Sequence, residues 1–263
     1  MLTHRLHLVA GTAASTTSVN WAGYVQLGSK DHTFTEVTDT VVVPTAVTPT
    51  AGTQYESDWV GIGGFAFNPM DSADDANLVQ AGVQLVTTTT NGKTSVAYDA
   101  WTEKLPEPEK RLRLEVAPGD IVALTVQQVS KNKWLTTVNN ITTGRARSRT
   151  TRYRSTGLSA EAIEERPCLA VGTSCAAEPD DYAQLAETSN VTFDPGSFSE
   201  TAPESPPVSQ PLLDTVPDAA LLDLTMVEES VPSTSIAVPS PSNTSNEGFT
   251  VADGSTPPPP PSP

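Results

Sequence analysis

Three glutamates crowd one short stretch, Ala160-Glu161-Ala162-Ile163-Glu164-Glu165-Arg166-Pro167. In an extended strand Glu161 and Glu165 share a face and Glu164 points the other way. Such a run is either a solvated acidic edge or the carrier of a general base, and the local sequence leaves both open. An unshifted glutamate has a pKa of about 4.3 and can accept a proton in mildly acidic water. A histidine would already be protonated there and useless as a base. The histidines are His4, His7 and His32, so a Ser-His-Asp or Cys-His site would rest on His32, in the loop-like Lys30-Asp31-His32. No HExxH pair, phosphate-cradling glycine loop or calcium-loop pattern occurs. Cys168 and Cys175 cannot make a four-cysteine zinc site, and no histidine lies near them in sequence. No metal or cofactor is therefore expected, and hydrolysis, if present, must rest on carboxylates and amides.

A second grouping comes from alternation. In residues 78–86, Val79, Ala81, Val83 and Leu85 fall on one face and Gln80, Gly82 and Gln84 on the other. In residues 94–105, Asp99, Trp101 and Glu103 oppose Val96, Tyr98 and Ala100. Asn91-Gly92 between the two runs is a hairpin signal. The two polar faces should then be adjacent, giving one sheet surface that carries Gln, Asp, Trp and Glu together. Groove-forming sheets carry such a mixture.

The elements that must position these residues are strands. Candidates span 19–27, 34–43, 55–62, 78–88, 94–105, 121–129, 135–140, 160–165 and 183–193, then 224–227, 235–238 and 249–251. Many short strands with regular turns argue for an all-β antiparallel sandwich or barrel. No window shows a helical stripe, and no internal repeat is found. A length of 263 residues suits one such domain. Residues 1–17 read as a flexible lead-in or propeptide remnant, 18–253 as the β-body and 254–263 as a Pro-rich tail. Residues 203–217, rich in Pro, Ser and Glu, read as a long surface connection. No segment is apolar enough to cross a membrane, and the first eleven residues are too weak for a signal peptide.

Acidic residues number 31 against 15 basic, a formal charge of −16. Phosphates would repel such a chain, so nucleic acid is not an expected partner. Near pH 3 most carboxylates protonate and self-repulsion falls. The cluster Arg145, Arg147, Arg149, Arg152 and Arg154 reads as a solvated edge hairpin, where alternating charge guards against aggregation. Six residues separate Cys168 from Cys175, which fits a small disulfide loop or two thiols. A monomer is expected.

Six tags in order resemble the glutamic peptidase (eqolisin) family. They are Asn20-Trp21-Ala22-Gly23-Tyr24, Trp59-Val60-Gly61-Ile62-Gly63-Gly64, Leu78-Val79-Gln80-Ala81-Gly82, Tyr98-Asp99-Ala100-Trp101-Thr102-Glu103, Asn140-Ile141-Thr142-Thr143-Gly144, and Ala160-Glu161 with Ile163 and Glu165. The likeness runs from about residue 18 to 170. It implies a concanavalin-like jelly-roll sandwich with a substrate groove on one sheet. It further implies a secreted endopeptidase that cleaves proteins in acid and resists pepstatin. By resemblance the catalytic pair is Gln80 and Glu165, with Trp59, Asp99, Trp101 and Glu103 as substrate-binding residues. Glu165 would activate water and Gln80 would donate to the oxyanion. The sequence departs from the family at Gly63, where fungal members have Asp, and at Ala162 and Glu164, where an aromatic and an aliphatic residue are usual. Glu164, or the acidic residues 71–75, could place extra charge near Glu165. Two other readings of the same face are a jelly-roll carbohydrate-binding module and a glycosidase using Glu103 and Glu165. Neither needs the amide of Gln80.

Overall fold

The computed structural model describes residues 8–9, 16–29, 31–47, 51–65, 77–169, 182–202, 205–214, 220–228 and 230–262. The acidic run 71–75 and Cys175 lie outside these. Strands but no helix occur among the described residues. They are β1 (Leu8–Val9), β2 (Thr16–Ser18), β3 (Trp21–Leu27), β4 (Thr33–Val42), β5 (Gly52–Gly63), β6 (Leu78–Thr90), β7 (Lys93–Lys104), β8 (Lys110–Arg111) and β9 (Ile121–Ser130). Then follow β10 (Lys133–Asn140), β11 (Arg145–Arg152), β12 (Ser159–Glu165), β13 (Val191–Phe193), β14 (Ser197–Ala202), β15 (Ser205–Pro211), β16 (Ala220–Glu228), β17 (Val231–Pro239) and β18 (Phe249–Asp253).

One layer runs β17–β16–β3–β12–β5–β6–β7–β8, each neighbour antiparallel. The other runs β15–β14–β4–β9–β10–β11, with β13 and β18 continuing from β4. The β17–β18 pair joins the two layers. Between them lies the main core. Val60, Ile62, Val79, Ala81, Val83, Ala100 and Ala162 from the first layer meet Val37, Val41, Leu124, Val126, Trp134, Phe193 and Phe198 from the second. Burying each larger side chain contributes roughly 1.5–3 kcal/mol. The expected antiparallel sandwich is thus present, and alternation sends the even-numbered residues of β6 away from that core.

The β6–β7 hairpin forms as its turn residues require. Asn91 and Gly92 take φ of 54° and 71°, the left-handed pair that a two-residue turn needs to match strand twist. Other expectations need correction. Residues 205–211, read as part of a surface connection, form β15 against β14. The run 183–193 keeps only β13 as a strand. Its earlier part crosses instead of pairing lengthwise, with Ala183 N bonded to Pro167 O and Ala186 N to Tyr55 O. Part of the lead-in enters the sheet, since Thr16–Ser18 runs parallel to β16. The arginine-rich segment is β11, which pairs with β10 and is exposed along nearly its whole length. Cys168 is disulfide-bonded, and the chain has one other cysteine, Cys175.

Candidate active site

Register places the candidate residues on one face of the first layer, away from the main core. Residues that pair across a sheet share a face, so three rows can be read across β3, β12, β5, β6 and β7. The first is Val25, Glu161, Gly61, Gln80, Glu103. The second is Gly23, Ile163, Trp59, Gly82, Trp101. The third is Trp21, Glu165, Ser57, Gln84, Asp99. All the sequence-identified site residues therefore share this face. Gln80 and Glu165 lie in different rows, and Trp59 stands in the row between them.

Glu165 is wholly buried and its two oxygens are held separately. Asn20 Nδ2 donates to Oε1 at 3.1 Å, and Trp59 Nε1 donates to Oε2 at 2.8 Å. Two N–H donors suit a charged carboxylate kept from water. Each donor is itself braced. Ser18 Oγ donates to Asn20 Oδ1 at 3.2 Å and accepts from the backbone N of Trp21 at 3.1 Å. The Trp59 ring meets Trp21 edge to face, with centroids 4.8 Å apart at 76°. Asn20 and Ser18 were not picked out as site residues by sequence reasoning. Asn20 stood in the first family tag, but nothing local marks a β3-entry asparagine as the partner of a glutamate 145 positions on.

Gln80 is also fully buried. Its Nε2 donates to Glu103 Oε2 at 2.7 Å across the β6–β7 pair. Trp101 packs over Gly82, whose missing Cβ would lie 3.0 Å from Trp101 Cζ2 and 2.6 Å from Trp59 Cβ. Any larger residue at 82 would push the two indoles apart. Asp99 sits at the edge, its carboxylate 2.8 Å from Arg111 Nη1 on β8, so it is occupied by a local ion pair. A small cavity beside Glu103 is lined by Lys104, Lys110 and Arg149 among others. His32 lies elsewhere, 3.8 Å from Glu200.

The opposite face of the same strands is also acidic. Glu164 points away from Glu165, as strand alternation requires, into the sandwich interior opposite Asp58. Glu56, Asp58 and Glu164 are each almost completely buried and present oxygens within 4.8 Å of one another. Burial, with repulsion from neighbouring carboxylates, pushes all three well above the ordinary carboxyl range. By donor type these three would suit a hard divalent cation. In acid, protons relieve the same repulsion. On the site face, burial pushes Glu161 well above its usual range too.

Comparison with known proteins adds to this geometry. The aspergillopepsin-2 of Aspergillus niger is 32% identical over 155 residues, a match taking in 52% of this chain and 50% of that protein. The chain thus spans about half the length of that relative. A scytalido-glutamic peptidase bound to a transition-state analogue superposes with a TM-score of 0.61 at 23% identity, covering 89% of this chain and 98% of that one. SCP-B, an eqolisin-family peptidase in complex with the tripeptide Ala-Ile-His, superposes at 0.54 with 22% identity and the same coverage. These two likenesses speak to the fold. The model of the peptidase A4 family matches residues 19–247, and the chain belongs to that family.

Proposed function

We propose that this protein is a secreted endopeptidase that hydrolyses protein substrates in acid, with Glu165 and Gln80 as its catalytic pair. The observation that carries the reading is the treatment of Glu165: a buried carboxylate held by Asn20 and Trp59, on the face that also carries the Gln80 amide. Glu165 takes a proton from water as that water attacks the scissile carbonyl, then returns a proton to the leaving amine. Gln80 Nε2 has two N–H groups. One is engaged by Glu103, and the other is offered to the oxyanion. No covalent intermediate is required. Trp59 and Trp101 wall the site, and Glu103 positions Gln80. Neither Gln80 nor Glu165 has accessible surface, so peptide entry requires the residues that cover them to part. The relatives bound to a transition-state analogue and to a tripeptide support a peptide as the ligand class. No observation favours the carbohydrate-binding or glycosidase readings, since Glu103 is committed to the Gln80 amide.

The test is cleavage of denatured casein across pH 2–7 with pepstatin present, comparing the parent chain with E165Q and Q80A. Loss of the oxyanion donor is expected to lower kcat by about 10²–10³, and loss of the base by at least as much. A folded parent that cleaves nothing in that range, or variants as active as the parent, would overturn the proposal.

A further inference from the structure

Glu161 is the carboxyl on the site face that the reading above leaves without a task. It is fully buried, and in its row only Gly61 separates it from Gln80. The missing Cβ of Gly61 would lie 3.0 Å from Glu161 Oε1 and 2.8 Å from Trp59 Cζ3. The Glu161 carboxyl therefore reaches over β5 through the space that a glycine leaves open, toward β6. At that end of the row Oε1 and Oε2 of Glu161 and Oε1 of Gln80 are buried without a well-formed hydrogen bond, the Ser159 hydroxyl being the donor that lies near Glu161. A buried acceptor without a donor is costly, and facing acceptors compound the cost. One proton on Glu161 converts an acceptor into a donor and removes the conflict.

We infer that Glu161, as a neutral carboxylic acid, donates its O–H to Gln80 Oε1 and is a positioning residue for the catalytic amide. The inference rests on the proposed role of Gln80. The Gln80 amide is then gripped at both ends: Glu161 donates to Oε1, and Glu103 accepts one N–H from Nε2. The amide cannot flip, and its second N–H is the group left for substrate. Burial keeps Glu161 protonated well past the ordinary carboxyl range, opposed by the nearby Ser159 hydroxyl. Among the described residues, the other charged or titratable groups on this face are Glu165 on β12, Glu103 and Asp99 on β7, Glu109 beside Gln84, and Arg111 on β8. The facing positions of β3 and β5 in its row, Val25 and Gly61, carry no charge.

The experiment compares E161L and E161Q with the parent by steady-state kinetics on a peptide substrate from pH 2 to 7. Folding is checked by circular dichroism. E161L removes the donor, and kcat is expected to fall about 10–100-fold with KM within about twofold, the pattern of a misplaced catalytic group. E161Q keeps an N–H donor at the same length that does not titrate. Its kcat in acid should return to within about threefold of the parent, and the high-pH limb of kcat/KM should move upward. Parental kcat in folded E161L, or E161Q no better than E161L, overturns the inference. If E161L does not fold, E161Q decides alone: a raised high-pH limb supports the role and an unmoved one rejects it. Should Q80A and E165Q keep parental activity, the catalytic reading falls first and this role with it. If those two are inactive and E161L is not, only the role of Glu161 fails.

Discussion

Strand β12 carries buried glutamates on both faces, and Glu165 on one face and Glu164 on the other live under opposite rules. On the site face Glu165 accepts hydrogen bonds from Asn20 and Trp59. One residue earlier in the chain, Glu164 points into the sandwich with Glu56 and Asp58, where Oε1 of Glu164 and Oδ1 of Asp58 find no donor and Glu56 has only the Thr188 hydroxyl near it. Residue type, depth and strand are the same for Glu165 and Glu164. The difference is the supply of N–H groups. Where donors are built in, as at Glu165, a buried carboxylate has partners for its charge, which is what the proposed base requires. Where only other carboxyls are near, the group gives up its charge. On the proposed reading the site face does the chemistry, while the raised carboxyls of the core face favour acid.

The largest expected effect tests the core face. Carboxyls whose pKa is raised by folding contribute stability that is fully present below the unfolded values, near 4, and lost as pH rises through the folded values. Glu56, Asp58 and Glu164 are all raised, and Asp253 rises to about 6. Melting temperature should therefore fall between pH 4 and pH 7, by roughly 10 °C, the size that ~3–4 kcal/mol produces in a chain of this length. Glu164→Ile should remove much of that fall while changing little at pH 4, because replacing buried charge by a well-packed apolar group is often neutral or stabilising. A parent that melts at the same temperature at both pH values would break the comparison.

The next effect tests the donors on the site face. Trp59→Phe keeps the ring and removes the N–H, and Asn20→Ala removes the other donor. A hydrogen bond to a charged group contributes roughly 1.5–3 kcal/mol, so each variant should lose about 10–100-fold in kcat/KM at pH 4. Glu56→Gln, on the other face of the same sheet, should leave kcat/KM at pH 4 within about twofold while flattening the melting profile. If Glu56→Gln costs as much activity as Asn20→Ala, the two faces are not separable in function.

Much of this arrangement was legible in the sequence because β-structure has a period of two. Once residues 78–86 and 94–105 were read as alternating, Gln80, Trp101 and Glu103 had to share a face, and Asn91-Gly92 had to bring the two runs together. Glu161 and Glu165 followed from the same parity. Register across non-adjacent strands was not legible. That Gln80 shares a row with Glu161 and not with Glu165 depends on how β12 pairs with β5, over a hundred residues from β5 in the chain. The core acids were missed for a related reason. Glu56, Asp58 and Glu164 look like ordinary surface charges in their local segments, and only the pairing of β5 with β12 buries them together. The strand β15 was hidden by its Pro-Pro pair, which reads as a loop yet sits beside β14 alone, at the edge of the layer, where prolines are tolerated.

The smallest effect probes how far the core cluster extends. Asp253, at the end of β18, retains solvent exposure, and its carboxyl is nevertheless raised to about 6 by burial, with Glu187 adding repulsion. Its charge in turn raises Glu56, Asp58 and Glu164. It also accepts from the backbone N of Thr188 at 2.9 Å, a bond that an asparagine oxygen can keep. Asp253→Asn should therefore remove the outermost negative charge without uncapping Thr188. At pH 4 the parent's carboxyl is already protonated, and the melting temperatures should agree. At pH 7 the variant should melt about 1–3 °C higher, the gain being small because solvent screens a charge at the rim. An increase as large as that of Glu164→Ile would mean that repulsion at the rim, and not desolvation inside, sets the acid preference of this fold.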